Sequence, residues 1–123
     1  MEIKTYKELI VWQKSMELTT KIYKIVQLLP KEELYGLSSQ MRRATVSIPS
    51  NIAEGRGRGT AKDFMRFLSI AKGSNMELET QLLICINLEY LKEETLSDIM
   101  NLINEIGKIL NTMIRKLADK TKS

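Results

Sequence analysis

Apolar residues recur at intervals of three and four along almost the whole chain, the spacing that gathers side chains on one face of an α-helix. In the first segment Leu9, Trp12, Met16, Thr19, Tyr23 and Val26 form such a stripe. Thr5, with Glu8 three residues on, is placed to cap its start. The Leu29-Pro30 step ends it, because a residue before proline is pushed out of the α region. The last segment is the most regular, with Leu96, Ile99, Ile103, Ile106, Leu110, Met113 and Leu117 in step, and Thr95 with Asp98 as its expected capping pair.

Two further segments lie between these. Thr60 followed by Asp63 matches a capping box and opens a helix that carries Phe64, Phe67, Ala71, Ser74, Leu78, Leu82 and Cys85 on one face. Before it, Leu37, Met41, Ala44 and Ile48 share a face, but Pro49 falls inside the same pattern. Proline has no N–H for the Thr45 carbonyl, so a kink or break is expected near Ser47–Pro49. The run Gly55-Arg-Gly-Arg-Gly59 is a poor helix and reads as the turn. No stretch alternates as a strand would. The pattern predicts an all-α fold, an antiparallel up-down four-helix bundle in one domain over 1–123. Its helices are expected near 6–29, 33–55, 60–87 and 95–118, with a basic tail at 119–123.

A chain of 123 residues is one domain long, and with 43% apolar residues, 28% charged residues and two prolines it suits a packed core rather than disorder. Histidine is absent, which excludes imidazole bases, Ser-His-Asp and Cys-His pairs, and His-ligated zinc. Cys85 is the sole cysteine, so no internal disulfide forms. Met1–Tyr6 lacks an apolar signal region and no long apolar run follows. The expectation is a soluble cytoplasmic protein that touches no membrane, needs no metal or cofactor and is not an enzyme.

Charge is distributed unevenly. The net of +4 conceals a block at 41–72 in which Arg42, Arg43, Arg56, Arg58, Lys62, Arg66 and Lys72 face only Glu54 and Asp63. Residues 73–113 reverse this, with seven acids against two lysines. Arginine is suited to bidentate phosphate contact, so the block points to an anionic partner.

The middle of the chain reads Tyr35-Gly-Leu-Ser-Ser-Gln-Met-Arg-Arg-Ala-Thr-Val-Ser-Ile-Pro-Ser-Asn-Ile-Ala-Glu-Gly55. With Leu9-Ile-Val-Trp-Gln-Lys14 and the segment from Phe64 to Gln81, this resembles the four-helix-bundle proteins encoded in intervening sequences of bacterial 23S rRNA genes. The resemblance runs from about Tyr6 to Leu91. It implies an up-down bundle assembled as a ring, commonly a homopentamer. It also implies a distant kinship with accessory proteins of diversity-generating retroelements, pentameric barrels that bind a reverse transcriptase and nucleic acid.

The candidate nucleic-acid contacts are therefore Arg42, Arg43, Arg56, Arg58, Lys62 and Arg66, with the glycine-rich turn and the following helix N-terminus as a phosphate corner. Arg42 and Arg43 stand about 100° apart on a helix, so they cannot share a stripe. Ser47, Asn51 and Glu54 lie on one face and read as a polar structural network. Ala71, Gly73, Ser74 and Gly107 suggest close helix approach; Trp12 and Tyr23 suggest core or interface. The expected function is a homo-oligomeric, pentameric RNA-binding protein. A protein–protein adaptor ring that docks a partner such as a reverse transcriptase is the alternative.

Overall fold

In the computed structural model, which describes residues 5–121, four α-helices carry the fold: α1 (Ile10–Ile25), α2 (Leu37–Gly57), α3 (Ala61–Asn87) and α4 (Ser97–Thr121). A 3₁₀ turn at Tyr6–Glu8 precedes α1, and others at Val26–Leu28, Lys31–Glu33 and Glu93–Leu96 lie in the connections. Each helix packs chiefly on two neighbours, in the cycle α1–α2–α3–α4 and back to α1. Along α2 and α3 the facing pairs are Gly55 with Phe67, Ser47 with Ser74, and Met41 with Cys85. The numbers fall on one helix as they rise on the other, so these two run antiparallel.

Leu18, Ile22, Met41, Ile48, Ile52, Leu68, Leu78, Leu82, Ile106 and Leu110 are fully enclosed, with all four helices contributing. Each such side chain contributes about 1.5–3 kcal/mol by leaving water. In α2, α3 and α4 the core faces follow the expected stripes closely. In α1 they do not. The buried residues there are Val11, Ser15, Leu18 and Ile22, while Met16 and Tyr23 are exposed and Trp12 is half-buried. The helix is turned by about one position from the expected stripe. Ser15 hides the true pattern, because a serine whose hydroxyl donates to the Trp12 carbonyl at 2.8 Å can sit in a core.

Several boundaries shift for local reasons. Thr5 accepts from the Lys7 N–H and caps a 3₁₀ turn, and Leu9 is extended, so α1 begins at Ile10 rather than near residue 6. Leu29 before Pro30 is extended, as the proline demands. Thr95 donates to the Lys92 carbonyl and so braces the turn before α4. Helix α4 continues through residues 119–121, so that part of the expected tail is helical; 122–123, like 1–4, lie outside the described residues.

The expected break at Pro49 is absent, and α2 is continuous from Leu37 to Gly57. The carbonyl that Pro49 deprives of a partner, that of Thr45, lies 3.1 Å from Thr19 Oγ1 on α1. Thr19 Oγ1 is also 2.8 Å from the Ser15 carbonyl and accepts from Thr45 Oγ1 at 3.2 Å. The single Thr19 hydroxyl proton is thus shared between the Ser15 carbonyl, the nearer of the two, and the proline's orphan, and the shared bond ties α1 to α2.

Candidate nucleic-acid interface

The turn between α2 and α3 is tighter than its glycines suggest. Gly55 and Gly57 are helical, and only Gly59, at φ +87°, takes the left-handed conformation that favours glycine. Gly55 is there for space: a Cβ on it would stand 2.6 Å from Phe67 Cβ and 3.2 Å from Phe64 Cδ1. Helices α2 and α3 therefore meet almost backbone to side chain, and the C-terminus of α2 is locked against the start of α3.

That contact positions the cations. Arg58 and Arg66 both place their guanidinium over the Phe67 ring, at 5.1 and 4.5 Å from its centre. Lys62 lies one turn before Arg66 on the same helix face. Each arginine also has a carboxylate: Arg58 Nη2 is 2.7 Å from Glu54 Oε2, and Arg66 Nη2 is 3.9 Å from Asp63 Oδ1. The side chains of Arg58 and Arg66 are 49% and 60% exposed, so these pairs are solvated and each contributes at most about 1 kcal/mol. A phosphate can replace such a carboxylate without stranding a buried charge.

An open groove of about 660 Å³ between early α3 and α4 is lined by Lys62, Asp63 and Arg66 together with the apolar Met65, Ile70 and Ile114. The helix N-terminus beside it is already occupied. Thr60 Oγ1 accepts from the Asp63 N–H at 3.1 Å, and the Asp63 carboxylate sits in the first turn. The cationic side chains, rather than the helix end, make this corner attractive to anions.

The other expected contacts lie elsewhere. Arg43 sits about 20 Å along α2 from Arg58, and Arg42 lines a different groove, toward α1 with Tyr23, Leu34 and Ser38. Arg56 is half-buried and, two residues from Arg58, points to a different side of α2. The structure thus gathers Arg58, Lys62 and Arg66 and separates them from Arg42 and Arg43. In the polar row, Asn51 Nδ2 donates to the Ser47 carbonyl at 2.8 Å and to Ser47 Oγ at 2.9 Å, and Ser47 Oγ meets Ser74 Oγ across the helices at 2.8 Å. Glu54 is not in this network, since it turns to Arg58. Gly73 makes no close approach; a Cβ there would meet nothing within 4 Å.

Two buried polar groups give no signal in the residue pattern. Asn75 donates to the Ile103 carbonyl at 3.0 Å while its Oδ1 has no partner, and Gln81 Oε1 is likewise buried and unpaired. The ionisable groups with shifted affinities have structural causes. Burial pushes the Cys85 thiol up to about 11. A hydrogen bond to Glu33 raises Tyr90, and one to Glu105 raises Lys14. Among the described residues no His, Cys, Asp or Glu cluster is arranged for a metal, and no helix is long and apolar enough to cross a membrane.

Residues 7–112 match the family described as 23S rRNA-intervening sequence protein. The chain is also similar to a crystal structure, at 1.70 Å resolution, of a protein with unknown function from the S23 ribosomal protein family of Bacteroides thetaiotaomicron. The two are 31% identical with a TM-score of 0.79, over 85% of this chain and 98% of that one. No curated protein matches the chain.

Proposed function

The chain belongs to the 23S rRNA-intervening sequence protein family, and from that premise we propose that it is a non-enzymatic, homopentameric protein that binds RNA through its basic surface. The observation that carries this is the cationic corner. Two half-exposed guanidiniums share one aromatic ring, and one of them, Arg66, lines with Lys62 a groove that also carries apolar side chains. Planar cations held by a ring lose little freedom when they take a phosphate, and the Met65, Ile70 and Ile114 side chains lining the groove offer bases an apolar surface on which to rest. No aromatic platform opens onto that groove, so sequence preference at the corner is weak.

Self-association multiplies this corner around a ring. A second groove, between α1 and α2, supports it: Trp12, Met16 and Val46 line it, and Met16 and Val46 are exposed apolar side chains. The adaptor reading, a ring that docks a protein such as a reverse transcriptase, draws on the exposed Leu83, Ile84 and Leu88 of the acidic half.

Polarisation titrations of a single-stranded RNA at about 50 and 200 mM salt test the proposal. Five neutralised phosphates per protomer give a log–log slope of about −3.5, a loss of roughly 100-fold between the two. Absence of binding at the lower salt overturns it. Native mass spectrometry tests the assembly, and a monomer at micromolar concentration contradicts the ring.

A further inference from the structure

The wall between α2 and α3, away from the cationic corner, contains an unpaired buried group. Gln81 is 5% exposed, its Oε1 has no hydrogen-bond partner, and it lines a groove of about 410 Å³ with Gln40, Arg43, Glu77, Thr80 and Ile84. Folded chains rarely leave such an oxygen unpaired, and here it belongs to a residue that lines an open groove. Arg43 on the facing helix takes part in none of the ion pairs of the described residues. One wall thus offers a free guanidinium, and the other offers an amide and, one turn earlier, the Glu77 carboxylate.

We infer that this groove is a subsite for one nucleotide whose base carries an exocyclic amino group, adenine foremost, with Arg43 on its phosphate and Gln81 on its base edge. A glutamine amide presents an acceptor and a donor side by side, the complement of adenine N6 and N7. Gln81 Oε1 is enclosed in the free chain, and rotation about the soft terminal bond turns it toward the groove, so that the oxygen and Nε2 meet the base edge together. Glu77 adds direction. It accepts from an amino group and repels the carbonyl oxygens that uracil presents, and it keeps the phosphate at the Arg43 end. Ile84 supplies apolar wall against the base. The groove's volume lies in the range of small-molecule sites.

The subsite rests on the RNA-binding reading and adds base preference to it, and the test separates the two. Labelled oligoadenylate and oligouridylate of equal length are titrated by fluorescence polarisation against wild type, Gln81→Met and Arg43→Ala. Wild type binds oligoadenylate about tenfold more tightly. Gln81→Met, close in length but unable to pair with a base, loses that preference and keeps its affinity for oligouridylate. Arg43→Ala weakens both RNAs. Equal binding of the two RNAs by wild type, or a preference that survives Gln81→Met, overturns the subsite and leaves RNA binding standing. Failure of either RNA to bind at low salt overturns the RNA-binding reading as well. The melting temperature of Gln81→Met without RNA is the control: removal of an unpaired oxygen leaves it at or above wild type, and a large drop assigns Gln81 to the core and refutes the inference.

Discussion

Replacement of Gly55 by alanine tests the close contact on which the cationic corner is built. The new Cβ would lie 2.6 Å from Phe67 Cβ, about 1 Å inside the separation at which carbon atoms attract. Phe67 Cβ is fixed to the α3 backbone, so the helices must part. Overpacking of this kind costs about 1–3 kcal/mol, and a contact with no flexible atom to yield belongs near the upper end. Alanine returns about 1 kcal/mol of helix propensity, which leaves a net loss of about 2 kcal/mol. Gly57→Ala is the internal control: it lies in the same helix, and its Cβ would meet nothing within 4 Å. The propensity gain is common to both, so their difference isolates the clash at about 3 kcal/mol. At roughly 4 °C per kcal/mol for a domain of this size, thermal melts should separate the two variants by about 12 °C, with Gly57→Ala at or above wild type. A Gly55→Ala protein as stable as Gly57→Ala refutes the close approach.

Three further outcomes follow from the same structure. Thr19→Val removes the hydroxyl beside the Thr45 carbonyl and should cost about 1 kcal/mol in denaturant unfolding, whereas in a Pro49→Ala background, where the backbone N–H returns, the loss should shrink; equal losses in both backgrounds refute the pairing. Burial raises the Cys85 thiol from 9.0 to about 11, so the folded state holds that proton more tightly than the unfolded chain. The associated stability is complete below pH 9 and falls by about 2–3 kcal/mol as pH rises toward 11; Cys85→Ala should flatten that limb of the pH profile, and an unchanged slope would contradict the assignment. At pH 8 the same enclosed thiol should react with a disulfide reagent only as fast as the protein opens, and rapid labelling of the native state would show it exposed.

Much of this fold is legible in the residue pattern, because α3 and α4 carry enough leucine and isoleucine at helical spacing for the buried face to be read directly. Helix α1 misleads by one position. Trp12, Met16 and Tyr23 form the apolar stripe, with Trp12 and Tyr23 read as core or interface, and only the tertiary structure shows that Ser15, tied to the Trp12 carbonyl, takes the inner place. Pro49 reads as a break because its remedy, Thr19, lies 30 residues away on another helix. The separation of Arg42 from Arg43 follows from helix geometry alone. Which cations cluster does not, since that depends on Gly55 letting the end of α2 come close enough to bring Arg58 over the ring beside Arg66. Gln81 is silent in the sequence because a polar residue near a core stripe gives no sign there of whether it is paired.

The cationic corner is tested most directly by the salt dependence of RNA binding in wild type and in an Arg58→Ala, Arg66→Ala double variant. Each single-strand phosphate deprived of its cation lessens the log–log slope by about 0.7, so the double variant should be shallower by about 1.4 and correspondingly weaker at low salt. An unchanged slope and affinity would place the RNA on some other surface and contradict the account.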